Sequence, residues 1–148
     1  MTLKTLAAAT ALLLGSLPAI SQARDTTLML PFDNVVQQML KEKKLDGTVK
    51  FYLAGTTPKG KVSVVSPDAV TNKKTNAFNK TDAQACEWAL QSALLTLQDA
   101  AKQAGANAVT NIVSFYKRIE RRDASQYECH AGAVIAGVAL KGDVANVK

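Results

Sequence analysis

Thr81-Asp82-Ala83-Gln84 opens the most strongly patterned stretch of this chain, and that stretch limits what the rest can fold into. Thr81 can accept from a first-turn amide while Gln84 reaches back to the cap, the reciprocal arrangement of a capping box. Behind it, Cys86, Leu90, Ala93, Leu94, Leu97, Ala101 and Ala104 fall on one helical stripe, and Gly105 supplies a left-handed stop. A helix of roughly 22 residues is about 33 Å long. Its apolar stripe needs cover along that whole length, so the remaining chain must provide a broad apolar surface.

That remainder reads mostly as strands. Asp25 to Leu30 is a strand ended by Pro31, and Phe32, Val35, Val36, Met39 and Leu40 recur at helical spacing to about Lys44. After the Asp46-Gly47 turn, Thr48 to Leu53 alternates apolar and polar residues, and Thr56 to Gly60 turns the chain into Lys61 to Val65, which predicts a hairpin. Ser66 to Lys80, rich in Asn, Lys and Thr, reads as a polar connection. Beyond the long helix, Ala108 to Tyr116 is β-branched and aromatic, and Lys117 to Gln126 is a charged link. Tyr127 to Leu140 is a long strand of small residues in which Gly132 and Gly137 mark bulges. There is no repeat, linker or low-complexity tract. The expected fold is one α+β domain over residues 24–148, in the order β-α-β-β-α-β-β. Its sheet is antiparallel or mixed, with the long helix packed across one face.

The first residues carry a different signal. One lysine, Lys4, precedes an apolar run from Leu6 to Leu17, followed by Pro18 and the small-x-small tripeptide Ser21-Gln22-Ala23. These are the three regions of a secretory signal peptide, with cleavage after Ala23. The run is shorter than the roughly 20 apolar residues that span a bilayer, so no transmembrane anchor is expected. The expected address is the periplasm, or secretion. There an even number of cysteines reads as a disulfide, here Cys86 to Cys129. The net charge of +6 falls by one when Lys4 leaves with the leader, and a basic surface favours anionic partners such as lipid head groups, lipopolysaccharide or nucleic acid.

Few residues offer chemistry. His130 is the only histidine, and it sits mid-strand beside Cys129. A metal site built from Cys86, Cys129 and His130 conflicts with thiol oxidation and with the opposite orientation of adjacent strand residues. There is no Gly-x-Ser-x-Gly nucleophile elbow and no Cys-x-x-Cys redox pair. A phosphate loop is missing too: Gly137 to Gly142 has the glycine interval, but Asp143 stands where the loop needs lysine. No nucleotide, metal or other cofactor is expected. Two cationic surfaces remain as candidates for partner binding. One is the segment holding Lys73, Lys74, Phe78 and Lys80; the other is the turn holding Arg118, Arg121 and Arg122.

The run Gly105-Ala106-Asn107-Ala108-Val109, with the later Ala131-Gly132-Ala133-Val134-Ile135-Ala136-Gly137-Val138-Ala139-Leu140, resembles a recurring α/β module. It is similar to the small domain of the outer-membrane stress-sensing lipoprotein of the Rcs phosphorelay and of YbjQ-type proteins, over roughly residues 82–140. The resemblance implies a disulfide-bonded domain, matched in kind by Cys86 and Cys129. The lipid-attachment cysteine and proline-rich tether of that sensor have no counterpart in this sequence. More closely, Val70 to Lys80 with Cys86, and Glu128-Cys129-His130-Ala131-Gly132-Ala133, is similar to small exported proteobacterial proteins often labelled "excinuclease ATPase subunit". That label implies nucleic-acid work driven by ATP, for which the sequence offers no phosphate loop. The reading that remains is a non-enzymatic periplasmic interaction domain, linked to envelope homeostasis and meeting an anionic envelope component or a periplasmic protein. A small hydrolase or metal-dependent enzyme around His130 is the alternative.

Overall fold

Pro31 both ends the first strand and starts the first helix, because its ring fixes φ and it has no N–H to donate to a ladder. In the computed structural model, which describes residues 24–148, β1 (Thr26–Pro31) runs directly into α1 (Phe32–Lys41), whose Phe32, Val35 and Met39 are buried. There follow β2 (Lys50–Leu53), β3 (Val62–Asn76), α2 (Asp82–Gln103), β4 (Ala108–Ser114), a 3-10 turn at Tyr116–Arg118, β5 (Gln126–Ala131) and β6 (Ile135–Val147). The capping box forms as its sequence predicts: Gln84 N donates to Thr81 Oγ1 at 3.1 Å, and Thr81 N donates to Gln84 Oε1 at 3.0 Å. Gly105 leaves the helix at φ +66°. Among the described residues, no helix is long and apolar enough to cross a membrane.

The fold is α+β: six strands make one curled mixed sheet, with β6 at its centre. β3 lies antiparallel along the whole of one edge of β6. The other edge is shared, β5 pairing with its first residues and β4 with its later ones. β1 extends the sheet beyond β5, and β2 joins β4 in parallel. α2 covers one face, burying Leu90, Leu94 and Leu97 against a core that includes Val109, Ile112, Val138, Leu140 and Tyr127. Cys86 of α2 and Cys129 of β5 are bonded across that contact, with Cα atoms 5.8 Å apart and both residues fully buried. Such a bond is compatible with an oxidising compartment.

Five local expectations are corrected. The predicted hairpin does not form, because β2 pairs with β4, whose Val109 and Ile112 are fully buried, while Val62, Val64 and Val65 of β3 stay exposed. The polar stretch 66–76 is strand rather than loop, since the small residues of β6 offer it a continuous edge. Thr71, Lys73 and Thr75 turn toward α2, and Val70, Asn72, Lys74 and Asn76 face the other way. The long last strand is two strands, broken at a tight turn where Gly132 N donates to Ile135 O at 2.8 Å. Neither expected glycine bulge occurs; the irregularities fall at Asn111 (φ +53°), at Asp68 (φ +55°) and within β2. The first helix also ends earlier, at Lys41. The leader and its cleavage site lie outside the described residues.

Candidate functional site

Strand alternation decides which side chains reach the face that α2 leaves uncovered. On β5, Tyr127, Cys129 and Ala131 point into the core, so Glu128 and His130 emerge on the opposite, open face. Register then builds a row across four strands. Thr27 pairs with His130, His130 with Gly137, and Gly137 with Lys74. Gly137 has no side chain, which leaves a gap in the row between the imidazole and the lysine. A Cβ there would meet Lys74 Cγ at 3.5 Å, an ordinary contact, so nothing in the backbone packing demands glycine. The gap forms the floor of an open groove of about 410 Å³, lined by Arg24, Asp25, Lys74, Tyr116, His130 and the 132–135 turn.

His130 is held on every side. Its Nε2 lies 2.6 Å from Glu128 Oε1 and its Nδ1 lies 3.1 Å from Asp25 Oδ1. Arg121 continues the chain of charges, with Nη1 3.4 Å from Glu128 Oε2. Tyr116 stacks on the imidazole, ring centroids 3.4 Å apart and planes 13° from parallel. The turn that delivers Tyr116 contains two successive non-glycine residues in the left-handed region, Lys117 at φ +52° and Arg118 at φ +62°. Such conformations cost roughly 1–3 kcal/mol each and tend to cluster at functional sites. The side chains of His130 and Glu128 are 13% and 12% exposed, so the pair is sheltered while its edge meets the groove. At the groove's rim, Arg24 grips Asp82 with two nitrogens, at 2.7 and 2.9 Å, and donates to Gly132 O at 2.8 Å.

This arrangement fixes an imidazole more than it activates a nucleophile. The hydroxyl of Thr27 is 3.5 Å from a ring nitrogen that Asp25 already faces, beyond the usual 2.6–3.2 Å nucleophile–base reach. The two sulfurs are bonded to each other beneath the sheet while His130 is above it, so Cys86, Cys129 and His130 are not a ligand set. Among the described residues, no group of three or more His, Cys, Asp and Glu side chains is arranged to hold a metal ion.

The cationic residues singled out from sequence are dispersed. Lys73 and Lys74 project from opposite faces of β3, and only Lys74 reaches the groove. Lys80 Nζ lies 5.0 Å from the Trp88 ring and donates to Asn76 O at 3.0 Å, and Phe78 is 66% exposed beside it. In the second group, Arg118 lies over Phe115 at 5.4 Å, Arg122 donates to Asn111 Oδ1 at 3.3 Å, and Arg121 serves Glu128. Asp25, Tyr116 and Glu128 belong to the site without having been singled out, and Gly137 enters it as the groove floor where the sequence reads a bulge. The Glu128-x-His130 spacing was a usable signal, because alternate strand residues share a face; the Tyr116 stack, set by tertiary packing, had none. No family model matches this chain, and neither a curated protein nor a solved structure matches it.

Proposed function

We propose that this chain is an exported, non-enzymatic interaction domain of the bacterial envelope, and that its ligand or partner seats in the groove over Gly137. The observation that carries the reading is the row Thr27, His130, Gly137, Lys74, in which a missing side chain opens a gap between an anchored imidazole and a lysine. Val134 and Ile135, 65% and 52% exposed, give the groove an apolar wall, and Lys74 a cationic one. A concave surface with an apolar wall and a few fixed polar groups is the usual form of a binding site. Export is supported by the tripartite leader and by the buried disulfide. The resemblance of residues 82–140 to the Rcs sensor domain agrees with a role in envelope homeostasis. The basic surface favours an anionic envelope component as the partner, or else a periplasmic protein.

The test uses Gly137→Val, which fills the groove floor while meeting only ordinary contacts around its Cβ. Crosslinking in intact cells from a photoreactive residue at Val134 should give a discrete adduct in the parent and none in Gly137→Val, with unfolding temperatures alike. An adduct that survives Gly137→Val moves the binding surface elsewhere. Turnover of ester or peptide substrates that is lost in His130→Ala favours the hydrolase reading instead.

A further inference from the structure

Four of the large apolar side chains left exposed on this protein gather at one end, delivered by three separate elements. Phe78 (66% exposed) lies in the link after β3, Trp88 (56%) on the first turns of α2, and Val134 (65%) and Ile135 (52%) at the β5–β6 turn. Backbone contacts tie them together. Ala77 N donates to Val134 O at 2.8 Å, Asn76 pairs with Ile135, and Lys80 bridges from Asn76 O to the Trp88 ring. Alternation along a single half-buried strand does not account for such a group, since its members come from a loop, a helix and a turn. Exposed aromatic and aliphatic side chains in one patch usually mark a surface that meets something apolar.

The charge around the patch narrows what that is. Lys74 and Lys80 flank it, and neither has an ion-pair partner among the described residues. Arg24 is held by Asp82, Asp25 faces His130, and Glu87, beside Trp88 on α2, is half-buried with its charge felt at Tyr127. The patch therefore presents two ammonium groups without ion-pair partners around an apolar centre. A second copy of the same surface would set those ammonium groups against their like, which is unfavourable in a self-complementary interface. An anionic bilayer satisfies both parts at once. Lipid phosphates attract the lysines, the acyl boundary accepts the aliphatic tips, and tryptophan prefers the headgroup level because its ring is apolar and its N–H is polar. We infer that this end of the molecule docks on an anionic lipid surface, with Phe78, Trp88, Val134 and Ile135 at the headgroup boundary and Lys74 and Lys80 against lipid phosphates.

Trp88 is the only tryptophan in the chain, so its emission reports on this patch alone. Vesicles of phosphatidylcholine with phosphatidylglycerol should shift that emission to the blue and carry the protein down on sedimentation, and pure phosphatidylcholine should do neither. About 1 M salt, which shortens the screening length to roughly 3 Å, should release most of the bound protein. Combining Lys74→Glu with Lys80→Glu should weaken vesicle binding at least about tenfold, and Phe78→Ser should weaken it several-fold. All variants share the parent's N-terminus, so differences between them read the patch and nothing upstream. His130→Ala and Gly137→Val should bind vesicles as the parent does, because the lipid surface shares the groove's Lys74, Val134 and Ile135 walls but not its floor. Equal binding to both vesicle types would overturn the inference, as would an unshifted Trp88 emission. A blue shift that grows with protein concentration without vesicles would assign the patch to a second copy instead.

Discussion

Tyr127 and His130 occupy the same short strand, and their contrast shows what each face of the sheet demands of a residue. His130 has a partner for each ring nitrogen. Tyr127 is fully buried, and no protein group lies within hydrogen-bonding reach of its hydroxyl. Burial, aided by the charge on Glu87, pushes its phenol well above the ordinary value of 10.0. A buried hydroxyl without a partner costs about 1–3 kcal/mol, whereas the phenyl ring alone would keep the packing. Tyr127→Phe should therefore stabilise the fold by about 1 kcal/mol, read as a rise of several degrees in thermal midpoint. The same group shapes the alkaline limb. Its folded pKa lies above its unfolded one, so its contribution is intact below about pH 10 and is lost as pH rises further, when only the unfolded chain ionises. In Tyr127→Phe that alkaline loss should flatten; an unchanged limb, or a lower midpoint at neutral pH, would show that the hydroxyl is satisfied after all.

Elements differ in how plainly the sequence announces them. α2 was legible to within a residue, because a capping box, a continuous stripe and a terminal glycine all act locally. Thr81→Ala removes one half of that box and should cost about 1 kcal/mol, measured by denaturant titration; no change in midpoint would mean that the Arg24–Asp82 contact alone holds the first turn. β3 was legible only in its first residues. Its later part carries Asn, Lys and Thr because it is an edge strand with one side in solvent, and an edge so composed resists pairing with other chains. Composition of that kind is indistinguishable from a loop until β6 is known to lie beside it. Gly137 was legible as an unusual position, but strand patterns associate an isolated glycine with a bulge, whereas here it stays in register and opens the groove floor. Gly142 is the converse case. A Cβ there would sit 2.9 Å from Val109 Cγ1 and 3.0 Å from Ile112 Cγ1, so Gly142→Ala should destabilise the fold where Gly137→Ala does not.

At the scale of the whole molecule, surface ion pairs and one covalent link act on a domain of modest size. Asp46 is held below the usual carboxylate range by Lys102 and Thr48, Asp82 by Arg24, Glu120 by Lys141, and Asp123 by the amides of Ser125 and Gln126. Depressed values mean that these groups help the fold above about pH 4 and cease to help as pH falls through their folded values, so the thermal midpoint should fall at acid pH. All four lie at the surface, where ion pairs contribute little, and the disulfide outweighs them. It joins residues 43 apart in sequence, a loop whose closure in the unfolded chain is worth roughly 4 kcal/mol in the chain-entropy model. That is a large share of the 5–15 kcal/mol typical of a whole domain. Cys86 on α2 and Cys129 on β5 also fasten the long helix to the strand that carries Glu128 and His130 on its other face, so the link supports the groove from beneath. Combining Cys86→Ala with Cys129→Ala should lower the unfolding free energy by about 4 kcal/mol while leaving the far-ultraviolet dichroism of the folded state nearly unchanged. With both cysteines fully buried, a mild reductant added to native parent protein should expose no alkylatable thiol until denaturant opens the fold. Two thiols titrating freely in the native protein, or a double variant as stable as the parent, would refute this account of the link.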